Sequence, residues 1–165
     1  MATPRDIRRL ALLALYQFDA LKAEGADANR ASIRESLDNL EALEEEGLTF
    51  ADPNRAFSDA DKDKAVTIAE AAWDNHESSD AVFAELAPEW PAHRMPAVDR
   101  AVLRLCHYEM HSGSQPKIVV NEGVELAKQF STKDSPNFVN AVLDKVLKKI
   151  LANPAVEQSA ATESE

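Results

Sequence analysis

The chain has 165 residues, 45% apolar and 28% charged, a globular composition that excludes a wholly disordered or fibrous protein and allows one domain or two small helical subdomains sharing a core. Its single cysteine, Cys106, rules out an intramolecular disulfide, and no apolar run approaches the roughly 20 residues that span a bilayer. The net charge of −11 argues against indiscriminate phosphate binding, yet the acid is concentrated between Asp27 and Asp63, including Glu44-Glu45-Glu46, and after Pro154. The first 22 residues and the segment Lys117–Lys149 are each mildly basic, so the balance neither excludes nucleic acid nor indicates it. Arg5, Arg8 and Arg9 beside the apolar Leu10–Leu15 mimic a short signal peptide, but no small-residue cleavage pattern follows, and the expected location is cytoplasmic.

Apolar residues recur at helical rather than alternating spacing, so strands are not expected. Thr3 as N-cap, Pro4 at N1 and Asp6 at N3 open a first helix with a stripe of Ile7, Leu10, Ala11, Ala14, Phe18 and Leu21, stopped at Gly25. An acidic second helix over Asn29–Glu46 buries Ile33, Leu37 and Leu40, and Leu48–Phe57 with Pro53 reads as a loop. Ser58 or Asp59 caps a third helix through Ala65, Ile68, Ala69 and Ala72, and a short fourth follows Ser78 or Ser79 with Val82, Phe83 and Leu86 inward.

Pro88, Pro91 and Pro96 then interrupt the chain, each removing a backbone donor, and mark the expected boundary between subdomains 1–87 and 88–153. Pro96 opens a fifth helix with Val98, Ala101, Val102 and Leu105 inward, stopped near Gly113. Ser114–Phe130 gives a sixth through Val120, Val124 and Ala127, and Ser135-Pro136 starts a seventh that buries Phe138, Val139, Val142, Val146 and Ile150. Residues 154–165 read as a disordered acidic tail. The pattern is all-α: a bundle of about seven helices in two subdomains.

No catalytic constellation emerges. There is no glycine-rich phosphate loop, no nucleophile with a base at a fitting separation, and no cofactor signature. His107 and His111, four apart on one helix, lack the third ligand that a metal site needs, and the four histidines (with His76 and His93) read as polar helix-surface residues. Cys106 reads as a small core residue. No catalytic, metal or cofactor residue is assigned.

Two segments suit binding instead. Arg5, Arg8 and Arg9 share the start of the first helix at spacings that let guanidiniums cluster toward solvent, with Tyr16 further along as a stacking surface. The turn Ser131–Phe138 brings Lys133, Asp134 and several hydroxyls to a helix N-terminus, with Ser135 as N-cap, and Phe138 is either core or a stacking platform. By spacing alone, a solvated helix end and ordinary capping account for both.

The segment between them joins the two. Val98-Asp99-Arg100-Ala101-Val102-Leu103-Arg104-Leu105 with Tyr108-Glu109 resembles the central helix of the NusB family, and Val120-Asn121-Glu122-Gly123-Val124-Glu125-Leu126-Ala127-Lys128 resembles its next helix. Ser135, Phe138-Val139-Asn140 and Val142-Leu143-Asp144-Lys145 are similar to its last helix, and Ala14-Leu15-Tyr16 to its first. The match is dense from about Ala97 to Lys149, and Asn75 and Asp80 fall at fitting positions. Gly123 stands where the family usually has alanine, and Arg9 where it is often acidic.

The resemblance implies a NusB-like all-α fold and a protein that binds boxA-type RNA with its partner NusE, a ribosomal small-subunit protein. Within the RNA polymerase elongation complex, this supports transcription of ribosomal RNA operons. It places Arg5, Arg8, Tyr16, Lys117, Lys133, Asp134 and Phe138 at RNA and Asp99 at NusE, and Arg9 joins the RNA set by its spacing from Arg5 and Arg8 on the first helix. A homodimer is left open. The competing expectations are a NusB-like module for other RNA, as at the N-terminus of certain ribosomal-RNA cytosine methyltransferases, and a helical adaptor that binds only protein.

Overall fold

The computed structural model describes residues 3–22, 29–38 and 57–152, which form seven α-helices, one 3-10 turn and no strand. Helix α1 spans Pro4–Leu21 and starts as its sequence dictates: the Asp6 amide donates to Thr3 Oγ1 (3.2 Å), and the Thr3 amide donates to Asp6 Oδ2 (2.8 Å). The expected stripe from Ile7 to Phe18 is buried, but so are Leu12, Leu13 and Leu15, because α1 is packed against both α3 and α5. Leu21 is instead 53% exposed, one residue before Lys22 ends the helix in the left-handed region (φ 48°). The stop therefore precedes Gly25, which lies outside the described residues.

Helix α2 is shorter than its acidic pattern suggests, running only from Arg30 to Ser36. Ser36 Oγ donates to the Ile33 carbonyl and the Leu37 amide bonds Arg34 three residues back, both of which tighten and end the helix. Ile33 and Leu37 are buried as expected. Leu40, Glu44–Glu46, the loop at 48–56 and the tail 154–165 lie outside the described residues. Helix α3 (Asp59–Asp74) carries the expected cap at Ser58, with Asp61 completing the reciprocal pair. Helix α4 (His76–Leu86) begins earlier than its serines suggested. Only Asn75 separates it from α3, and Ser79 is fully buried, spent on the core rather than on a cap.

After α4 the prolines interrupt the helices, with a 3-10 turn at Ala92–Arg94 before α5 (Ala97–His111). Gly113, at φ 105°, provides the turn into α6 (Pro116–Phe130), and α7 covers Ser135–Leu151. Helix α5 is the hub: residues 101–107 are all buried, and it packs on α1, α3, α4, α6 and α7. Gly123 explains how α6 comes so near. A Cβ at that position would stand 2.8 Å from both Cys106 Sγ and Leu143 Cδ1. No helix among the described residues is long and apolar enough to cross a membrane.

Candidate nucleic-acid interface

The arginines of α1 do not form the solvent-facing cluster that their spacing suggests. Each guanidinium turns to its own acceptor, because an acceptor offers more than a second cation does. Arg5 grips Glu122 at two points (Nε–Oε2 3.0 Å, Nη2–Oε1 2.9 Å). Arg8 reaches Glu109 on α5 (Nε to Oε1 3.1 Å and to Oε2 3.0 Å), with both side chains largely shielded. Arg9 donates to Gln129 Oε1 at 2.8 Å and pairs with Asp6 at 3.4 Å.

These contacts reorganise the site around α6. Lys117 is exposed in its first turn, Arg5 lies against its middle through Glu122, and Arg9 lies near its end through Gln129. Lys133 follows, exposed, in the turn just beyond. Arg5, Arg9 and Lys128 line one cleft between α1 and α6 and form a short track there, while Lys117 stands roughly 120–140° around the helix from Glu122 and Gln129. Arg5, Arg9 and Tyr16, at i, i+4 and i+11, share one face of α1. Tyr16 is half-buried and packed against the core. Arg8 belongs elsewhere: it lines a different cleft with Asp61, Lys64 and Glu109.

The ion pairs leave their mark on the carboxylates. The Arg5 hydrogen bond holds the Glu122 carboxyl below its ordinary range, against partial burial. Glu109 goes the other way: burial raises its carboxyl, and Arg8 only partly offsets this.

In the turn between α6 and α7, Asp134 occupies the N-cap position but makes no side-chain cap, and it is exposed. Ser135 is not the cap that its place before Pro136 suggests. Its hydroxyl is buried and donates to Asp99 Oδ2 at 2.9 Å, while Ser131 Oγ donates to Asp99 Oδ1. Asp99 is therefore not held out for a basic partner, being 3% exposed and bonded by both hydroxyls. Its role in the isolated chain is to tie the start of α5 to this turn. Phe138 is half-buried, and its ring meets Trp90 edge-to-face at 6.1 Å.

Sequence reading missed a ladder of partly buried charge. Arg100 donates from Nε to Asp19 Oδ2 at 2.9 Å, and Arg104 Nη1 lies 3.4 Å from Asp19 Oδ1. Arg104 also holds Asp80 through two bonds of 2.9 and 2.7 Å, so that α1, α5 and α4 are joined. The available signal was the i, i+4 spacing of Arg100 and Arg104 on a helix that is otherwise apolar. His107 is likewise no surface histidine. It is 3% exposed and bonds Ser79 Oγ through Nδ1 (2.7 Å) and His111 Nε2 through Nε2 (3.0 Å). Burial lowers its pKa to about 4. Cys106 is buried, and its thiol is pushed up by burial, which suits a core residue and not a nucleophile. Among the described residues, no three His, Cys, Asp or Glu side chains are grouped to hold a metal.

The comparisons with known proteins bear directly on this arrangement. The NusB family model matches residues 5–148. The transcription antitermination protein NusB of Symbiobacterium thermophilum is 39% identical over 149 residues, covering 87% of this chain and 88% of its own. That of Desulfovibrio desulfuricans is 32% identical over 162 residues, covering 97% and 93%. The solved structure of T. maritima NusB superposes with a TM-score of 0.63 at 26% identity, covering 90% of this chain and 93% of that one. With helices α2–α6 wholly and α1 and α7 almost wholly inside the matched span, the chain belongs to the NusB family of transcription antitermination proteins.

Proposed function

We propose that this chain is a cytoplasmic, non-catalytic antitermination factor that binds boxA-type RNA together with NusE. In the RNA polymerase elongation complex, it supports transcription of ribosomal RNA operons. The observation that carries this reading is the track beside α6: Arg5, Arg9 and Lys128 line one cleft between α1 and α6, with Lys133 exposed in the turn beyond. Fixed, separated cations suit an extended single strand, whose phosphates are spaced along it, better than a compact anion.

The protein partner enters through the same turn. Asp99 supports NusE binding by holding the Ser131–Ser135 turn in place, not by pairing directly with a basic group. The experiment is a gel-shift with boxA-type RNA, with and without NusE. Binding strengthened by NusE supports the reading. NusE binding without any shift of RNA would favour a helical adaptor that recognises protein alone.

A further inference from the structure

We propose that His107 and His111 chelate one transition-metal ion of the Cu2+, Ni2+ and Zn2+ class at the end of α5, a site that does not depend on the RNA reading. Four residues apart, the two rings share one face of the helix and bring their Nε2 atoms to 3.0 Å. Two nitrogens bound at a right angle, each about 2.05 Å from one metal, stand about 2.9 Å apart. The pair holds that spacing without movement of the helix backbone. His107 is fixed in place: its Nδ1 bonds Ser79 Oγ at 2.7 Å, and Phe83 meets the ring edge-to-face at 5.6 Å. An imidazole bonded through Nδ1 to a second group is oriented, and its Nε2 is left for a metal. His111 is exposed in the last turn of α5, so an ion reaches the pair from solvent.

Without a metal the 3.0 Å contact is a hydrogen bond, in which one Nε2–H donates to the other ring. With His107 donating from Nδ1 to Ser79, that donor is His111. Transfer of the His111 proton from Nε2 to its own Nδ1, through water, frees both Nε2 lone pairs and releases no net proton. Two protein ligands, with water in the remaining positions, discriminate by intrinsic affinity, which peaks at Cu2+ and is lower for Ni2+ and Zn2+. A right-angled bite also suits tetragonal Cu2+ and Ni2+ better than tetrahedral Zn2+. Mg2+ takes oxygen ligands and gains nothing from two imidazoles. Lys149, whose charge acts on His107, is paired with Glu85 at 2.8 Å, so that cation is offset by a carboxylate.

The test uses the full chain, stripped of metal by a chelator and carrying no affinity tag, with Cu2+ alone as the probe. One equivalent of Cu2+ should give an electron paramagnetic resonance spectrum with hyperfine coupling to two imidazole nitrogens. It should also raise the melting temperature, since an ion that binds only the folded pair stabilises the fold. His111→Ala, at an exposed position, should lose both effects. His93→Ala, which removes a histidine of the 3-10 turn, should keep both. Mg2+ should produce neither. An equal rise in melting temperature with Mg2+ would show only neutralisation of an acidic chain, and would overturn the site. So would a Cu2+ spectrum that is the same in His111→Ala, or no Cu2+ binding at all, either of which would leave the two rings as a hydrogen-bonded pair.

Discussion

Arg5 and Glu122 form a two-point ion pair between the first turn of α1 and the middle of α6, with Nε–Oε2 at 3.0 Å and Nη2–Oε1 at 2.9 Å. The Arg5 side chain is 50% exposed, so a phosphate can approach it, but must compete with a carboxylate already in place. Glu122→Gln should therefore tighten RNA binding a few-fold. It should leave the fall of log K with log salt nearly unchanged, because Arg5 makes the same phosphate contact in both forms. Filter binding at several salt concentrations measures both. Weaker binding by Glu122→Gln would mean that the carboxylate aims Arg5 at RNA rather than occupying it.

The turn before α7 makes a prediction of opposite sign for two adjacent residues. Asp134 is exposed and caps nothing with its side chain, so its charge is unspent. Asp134→Asn should strengthen RNA binding by about 0.5–1 kcal/mol, as expected for one partly screened repulsion, with little change in stability. Lys133→Ala should weaken binding. Titrations of both variants at two salt concentrations check the pair, and weaker binding by Asp134→Asn would show that the carboxylate accepts a hydrogen bond from RNA.

Buried His107 predicts an acid limb in stability. Its pKa falls from 6.5 to about 4, chiefly through burial, so the fold holds the ring neutral where the unfolded chain takes up a proton. That contribution is fully present above pH 6.5 and is lost as pH falls toward 4, to a total on the order of 3 kcal/mol. Glu109, with its carboxyl raised, acts in the opposite sense, favouring the fold as it protonates. Urea unfolding between pH 7 and 4.5 should show a smaller decline for His107→Gln than for the natural chain. Equal slopes would mean that the ring is protonated in the fold.

Gly123 should behave as a packing glycine. Ala there gains roughly 1 kcal/mol of helix propensity but meets Cys106 Sγ and Leu143 Cδ1 at 2.8 Å, and overpacking of that kind typically costs about 1–3 kcal/mol. Gly123→Ala should be destabilising by about 1 kcal/mol in denaturant melts. In a Cys106→Ala background, where one of the two close contacts is gone and only Leu143 must give, the same change should cost less.

The helices with reciprocal caps were legible from sequence, because Thr3/Asp6 and Ser58/Asp61 settle their own starts locally. Prolines marked the starts of α5, α6 and α7 for the same reason. What misled was any polar residue drawn inward by a distant partner. Ser79 and Ser135 have the chemistry of caps and spend it on His107 and Asp99. Asp99 looked free, since nothing local reveals hydroxyls 32 and 36 residues away. The arginines of α1 followed the same logic: their spacing suggests a solvent-facing cluster, but their pairing depends on Glu122, Glu109 and Gln129, which carry no signal of their own.

The most direct measurement of the RNA reading is the salt dependence of boxA-type RNA binding by the natural chain and by a variant with Arg5, Arg9 and Lys117 replaced by alanine. Arg8 is left intact because its loss would strand the buried Glu109 and confuse affinity with stability. The natural chain should bind with log K falling steeply as log salt rises. The variant, with an unchanged melting temperature, should bind more weakly and with a slope flatter by roughly 0.7 for each cation lost. Equal slopes and equal affinities would contradict the assignment of the α6 track to RNA.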